Sequence, residues 1–356
     1  MRNWSLAVVF FLCFLASAFA GQLHQEDFDA LMGKGTQHWK HLKQDNEVVF
    51  LRQCKELYEK NILLKDAREE ETRIPQKIHF IWLGPKALPK KYKENIQSWV
   101  AKHPGWKFIL WSDRPRRALS SEVEVRSVDT FVFSRLKDRF FKSDKWGEKA
   151  DILCYEILFQ EGGLYAYHDA KCLQSFDTLN RSYDMFCCLE APHSSLAGLN
   201  LTCSNGVIGA KPLHPTVEKV MNLIDTRWDR LEEELNKKKN KAKNEVFIQR
   251  TYIALTEAVK ETVVQHPERD IVLPSGYFFA KDEISSLYTK TPNTHSYADC
   301  DYVDQDFERL ISSSFHRWKS KDKHVLSHFF AVCALALIAV VMLFAILLKI
   351  KQRYFS

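Results

Sequence analysis

Internal repeats, paired metal-binding cysteines and phosphate-loop spacings are all missing from this 356-residue chain. No C-x-x-C pair and no H-E-x-x-H stretch occurs, which removes the usual structural-zinc and zinc-protease arrangements. The glycine-bearing "MGKGT" at residues 32–36 lacks the spacing of a loop that cradles phosphates. Arginine–aromatic interleaving of the kind that binds nucleic acid is absent as well. The formal charge of +6 is spread along the chain except for "NKKKNKAKN", around Lys237 to Lys243, which reads as a solvated loop. What is present is 46% hydrophobic residues, enough at this length to bury a full α/β core.

The two ends carry topology. Arg2, the apolar run Leu6 to Leu15 and the small-residue pattern Ala18, Phe19, Ala20 predict a secretory signal over residues 1–20, cut before Gly21. Residues 329–348 are apolar and free of charge, the length of a bilayer-spanning helix. Lys349, Lys351 and Arg353 follow this span, but Arg317, Lys319, Lys321 and Lys323 precede it, so the positive-inside rule does not decide orientation. The leader does: it predicts a type I single-pass protein of a secretory-pathway membrane, in the ER or Golgi, with a lumenal body and a cytosolic tail at 349–356. Of nine cysteines, Cys13 lies in the leader and Cys333 in the span. The odd number left in the body leaves at least one thiol free or intermolecular. Asn180-Arg-Ser182 and Asn200-Leu-Thr202 are glycosylation sequons in such a compartment.

Residues 21–73 are polar and helix-prone. Val48, Leu51, Cys54, Leu57 and Tyr58 at helical spacing predict a helical stem or lid. At Ile74 the texture changes. "KIHFIWLG" reads as a strand, "PKKYKENIQSWVAKHPG" as a helix and "WKFILWSD" as a second strand, the β-α-β opening of a parallel sheet. "WGEKADILCYEILFQEGG" predicts a helix stopped by Gly162 and Gly163, and "LYAYHD" the strand after it. Further on come "CSNGVIGA", a helix from about Thr216 to Leu235, another near Tyr252 to Lys260, and a short strand in "DIVLPSGYFF".

Strand alternation would put Tyr165, Tyr167 and Asp169 on one face. Asp151, Cys154 and Leu158 form one stripe of the preceding helix. Two acids, Asp151 and Asp169, then approach the carboxyl edge of a parallel sheet, where such sheets bind ligands. They would suit a divalent cation and, through it, a diphosphate. The plainer alternative is that Asp151 pairs on the helix surface and Asp169 opens a turn.

Three ordered motifs, "IPQKIHFIWLG", "KADILCYEILFQEGGLYAYHDA" and "SNGVIGAKPLHP", resemble the sugar-nucleotide glycosyltransferases with a DXD motif, namely family 32 and the catalytic domain of the large glucosylating toxins. The resemblance implies a GT-A fold over about 74–320. It also implies retaining sugar transfer from a UDP- or GDP-sugar to a glycan, lipid or protein acceptor, with Mn²⁺ or Mg²⁺. It places Trp82 on the nucleotide base, Asp151, Tyr165 and Asn205 around the donor, and Asp169 on the metal. His316 and Trp318 resemble the family's terminal segment that closes over the diphosphate.

The chain departs from the pattern "SDxxRYxxLxxxGGxYxDxDx" at two points: Cys154 stands for the helix arginine and Tyr167 for the first acid. A phenol, with a reference pKa of about 10, donates a hydrogen bond to a sugar or ribose but supplies no charge. A thiol does not imitate a bidentate guanidinium. Lys171, two residues past Asp169, would share its strand face and reach the phosphates, or else pair with Asp169. The alternative reading of both departures is a catalytically silent relative that keeps the fold to bind a sugar, a nucleotide or a protein. Trp111 is read as core.

Overall fold

A computed structural model describes residues 27–290 apart from 37, 63, 65–71, 194–195, 238–245, 264–267 and 279–287. All of these belong to the first of two compact units, Met1–Arg317. The leader, the apolar span 329–348, the tail, His316 and Trp318 lie outside the described residues, as does most of the lysine run. Among the described residues no helix is long and apolar enough to cross a membrane.

Helix α1 (Asp45–Asn61) opens with Asp45 and Glu47 in its first turn, where carboxylates oppose the positive end of the helix dipole. It buries Glu47, Phe50, Leu51, Cys54, Leu57, Tyr58 and Asn61, recurring every three or four residues. Val48, expected on that stripe, is 45% exposed because it falls one position off it. Tyr183 donates from its hydroxyl to the carbonyl of Asn61 (3.1 Å), whose amide donates to the carbonyl of Asp270 (2.8 Å). From Asp45 onward the expected stem is therefore fastened to the body.

The apolar stretches condense into a seven-stranded mixed sheet ordered β3-β2-β1-β4-β7-β6-β8. Its strands are β1 (Lys77–Ile81), β2 (Lys107–Ser112), β3 (Val123–Ser127), β4 (Gly163–Ala166), β6 (Met185–Leu189), β7 (Cys203–Ala210) and β8 (Asp270–Leu273). Only β7 runs against its neighbours. A separate antiparallel ribbon pairs β5 (Lys171–Cys172) with β9 (Thr289–Lys290). The carboxyl ends of β1, β4 and β6 consequently lie on one edge. Strands covered on both faces need continuous apolar runs, and β4, β6 and β7 are buried throughout.

Five helices matter for the site: α2 (Lys90–Lys102), α3 (Lys137–Lys142), α4 (Trp146–Glu161), α5 (Pro215–Lys237) and α6 (Ile253–Glu261). Every residue of α4 from Asp151 to Leu158 is buried, so this helix runs through the core. Burying each of its aliphatic side chains contributes roughly 1.5–3 kcal/mol. It ends as the sequence predicts. Gly162 and Gly163 take φ of 60° and 102°, and a Cβ on Gly162 would sit 2.6 Å from Pro212 Cδ. A side chain fits neither the backbone nor the space.

Candidate active site

The strand that the sequence extends to Asp169 stops at Ala166. Tyr167 still donates its backbone N–H to Gly206 (2.8 Å), and then the N–H of Ala170 closes a turn onto the carbonyl of Tyr167 (3.1 Å). The reason lies on α2. Its Asn95 amide donates to the carbonyls of Asp169 (2.8 Å) and His168 (3.2 Å), and its Trp99 indole donates to that of Ala170 (2.7 Å). These bonds satisfy a buried turn's carbonyls and take the chain out of the sheet.

Tyr165 and Tyr167 keep the expected common surface, edge to face at 5.6 Å. Asp169 does not continue it; it occupies the turn, 2% exposed. Lys171 opens the β5 ribbon with an exposed side chain, so the shared strand face expected for it with Asp169 does not form.

A shallow cleft opens at this edge, lined by Trp82, Trp146, Asp151, Tyr165, Tyr167 and His168 with small and aliphatic neighbours. Asp151 is its hub. Oδ1 accepts from the Asn205 amide (2.9 Å) and, at 3.4 Å, from the Tyr167 hydroxyl, while Oδ2 accepts from the Thr251 hydroxyl (2.8 Å). Tyr167 also donates to Asn205 Oδ1 (2.8 Å). Asn205 is not in a loop, as the sequence suggested, but on β7. The antiparallel register of β4 with β7, Tyr165 opposite Ile208 and Ala166 opposite Val207, brings it beside Tyr167.

Trp82 reaches the cleft from the end of β1, 2% exposed. Its indole donates to the carbonyl of Lys86 (2.9 Å), and its ring meets His168 edge-on at 4.8 Å and Tyr92 at 5.9 Å. Trp111 is core, as expected, its indole donating to His79 Nδ1 (3.2 Å). Cys154 is buried beneath the site, its thiol pushed well up by burial and by the charge of Asp151, so it offers neither thiolate nor cation. All six cysteines among the described residues are free and buried. The sequon at Asn180 is also buried: its amide faces the carbonyl of Ile74 (3.3 Å), which leaves a glycan no access in the folded chain. Asn200 is half-buried and donates to the carbonyl of His193 (2.8 Å).

Asn95, Trp146, His168 and Thr251 are site residues that sequence reasoning missed. Asn95 carried a signal: with Tyr92, Ile96 and Trp99 it forms the buried stripe of α2, and an amide on such a stripe has a partner to find. Asp169, the acid expected on the metal, supplies one hard carboxylate of the kind a divalent cation takes, but it is 2% exposed in the turn and is not among the residues that line the cleft. Among the described residues no cluster of three or more His, Cys, Asp or Glu that could hold a metal ion occurs.

Residues 89–186 match the family described as a glycosyltransferase sugar-binding region containing a DXD motif. The chain is 28% identical to Subversion of eukaryotic traffic protein A of Legionella pneumophila, over 45% of this chain and 26% of that protein. It is 29% identical to mannosyl phosphorylinositol ceramide synthase SUR1 of Saccharomyces cerevisiae, over 46% of this chain and 38% of that one. The matches thus span well under half of either relative. Among solved structures it is similar to the PaToxG glycosyltransferase, with a TM-score of 0.43 and 18% identity over 59% of this chain and 77% of that one. That structural likeness is loose.

Proposed function

We propose that the protein is a membrane-anchored glycosyltransferase of the secretory pathway that moves a sugar from a nucleoside diphosphate sugar, with UDP or GDP as the nucleotide, to a glycan or lipid acceptor with retention of configuration. The observation that carries this reading is the hydrogen-bonded set Asp151, Asn205 and Tyr167 in an aromatic cleft at the carboxyl edge of the sheet. In this reading Asp151 and Asn205 orient the ribose and sugar, and Tyr167 supplies a neutral donor where the family has an acid. Trp82 and Tyr165 provide aromatic surface for the nucleoside. Asp169 would hold Mn²⁺ or Mg²⁺, whose chemistry when bound is to neutralise a leaving diphosphate. The lipid acceptor draws support from the name of the yeast relative, a synthase of mannosyl phosphorylinositol ceramide.

The test is calorimetric binding and hydrolysis of a panel of UDP- and GDP-sugars by the full chain, with Mn²⁺ and with chelator. One donor bound and slowly hydrolysed is the expected result. A donor bound but never hydrolysed or transferred would favour the silent relative, for which the neutral Tyr167 is the supporting observation.

A further inference from the structure

Three successive residues of one short turn end on three buried acids. The segment Ile248–Tyr252 is a π turn, closed by the N–H of Ile253 onto the carbonyl of Ile248. Arg250 donates from Nε (2.7 Å) and Nη2 (2.6 Å) to the two oxygens of Glu148. The Thr251 hydroxyl donates to Asp151 Oδ2 (2.8 Å), and the Tyr252 hydroxyl donates to Glu190. Glu148 and Asp151 sit a turn apart on α4, and Glu190 follows the last residue of β6. None of the three acids is more than 3% exposed. Behind them the guanidinium of Arg250 lies 3.8 Å from the centre of the Trp228 ring on α5. Buried carboxylates are costly unless each finds donors, and here one turn supplies a donor to every one of them. Such wide turns inside helices recur at functional sites.

The two oxygens of Asp151 are held by different groups. Oδ1 meets Asn205 and cleft-lining Tyr167, whereas Oδ2 is held by Thr251 from the π turn. We propose that the π turn 248–252 is the positioning element of the cleft wall, and that Thr251 is the positioning residue that aims the Asp151 carboxylate at the donor. This rests on the reading of the cleft as a nucleotide-sugar site. With Oδ2 fixed, Oδ1 keeps its orientation while Asn205 and Tyr167 exchange partners with an incoming hydroxyl. Without that hydrogen bond the carboxylate turns to seek another donor, and the Asn205–Tyr167 pair turns with it.

The experiment compares full-length wild type, Thr251→Val and Thr251→Ser. Valine keeps the branched shape and removes the hydroxyl; serine keeps the hydroxyl and removes the methyl. Affinity for UDP and GDP is read by calorimetry, and thermal unfolding is read without ligand for Thr251→Val, Asp151→Asn and the double variant. The expected result is nucleotide affinity lowered tenfold or more in Thr251→Val and restored to within about threefold of wild type in Thr251→Ser. The unfolding shifts of Thr251→Val and Asp151→Asn should be clearly non-additive. Wild-type affinity in Thr251→Val, or equal losses in the valine and serine variants, would overturn the proposal. If wild type binds neither nucleotide, the donor-site reading fails, and the unfolding cycle alone decides: additive shifts overturn the positioning role and coupled shifts sustain it.

Discussion

Tyr167 stands where the DXD pattern that the sequence resembles has its first acid, and its hydroxyl does what an ionised carboxylate cannot: it donates, to Asn205 Oδ1 and more weakly to Asp151. The substitution is thus built into a network rather than left as a gap. Tyr167→Phe should cost about 0.5–1.5 kcal/mol of stability, the net worth of one hydrogen bond, and should weaken donor binding, because Asn205 loses the group that orients its amide. Urea unfolding and calorimetry on the same variant check both; no change in either would reduce the tyrosine to a space filler. Trp82 behaves differently. At 2% exposure with its indole N–H bonded, it supports the core as well as lining the cleft. Trp82→Ala should lower stability by about 3–5 kcal/mol without any ligand, so thermal unfolding must accompany every binding measurement on that variant. Trp82→Phe, which keeps an aromatic face, is the fairer probe of base contact.

Elements built from local pattern were legible. The β-α-β opening follows from apolar runs on either side of an amphipathic helix, and the end of α4 follows from Gly162 and Gly163. The turn at 167–170 was not, because Tyr165, Tyr167 and Asp169 continue a period-two pattern beyond the point where the strand stops. That strand is ended by Asn95 and Trp99, side chains of a distant helix, and no local window contains them. Thr251 was illegible for the same reason: a threonine in a helical stretch gives no sign that its partner is an aspartate a hundred positions away. Glu156 makes the point within a single helix. Fully buried on α4, it accepts from the backbone N–H groups of Ser134 (2.8 Å), Arg135 (2.8 Å) and Leu136 (2.6 Å) and from the Ser134 hydroxyl (2.7 Å). It thereby anchors the chain that leads into α3. Glu156→Gln would turn an amide N–H toward backbone donors, and a loss of about 1–3 kcal/mol is expected in urea unfolding. An unchanged midpoint would mean that the 134–136 loop does not depend on this carboxylate.

At the scale of the molecule, two buried groups among the described residues, Glu190 and His79, push the dependence of stability on pH in opposite directions. Burial raises Glu190 from 4.5 to about 8, against the pull of hydrogen bonds from Tyr252, Ser204 and Thr202. His193 Nε2 lies 3.9 Å away. Burial also lowers His79 from 6.5 to about 4. The neutral ring is already satisfied, Nε2–H donating to the carbonyl of Gly162 (3.0 Å) and Nδ1 accepting from the Trp111 indole, so a second proton would face another N–H. The signs follow from where each proton resides. Between about 4.5 and 8 the folded chain keeps the Glu190 proton that the unfolded chain has lost, so stability falls as pH rises, by up to about 1.4 kcal/mol per unit. Between 6.5 and about 4 the unfolded chain takes up a proton that folded His79 refuses, so stability falls as pH drops, with a similar limiting slope. From 4.5 to 6.5 the two oppose each other. Below that window Asp184 adds to the acid loss: burial raises it, but Arg73 and Lys211 more than offset this and hold it below its ordinary value. Thermal unfolding from pH 4 to 9 should therefore show a plateau at about pH 5–6.5 and a decline from there toward pH 8. Glu190→Gln keeps the shape and removes the titration, so it should abolish the alkaline decline and match or exceed wild type at pH 7.5. A decline that persists in this variant would assign it to another group.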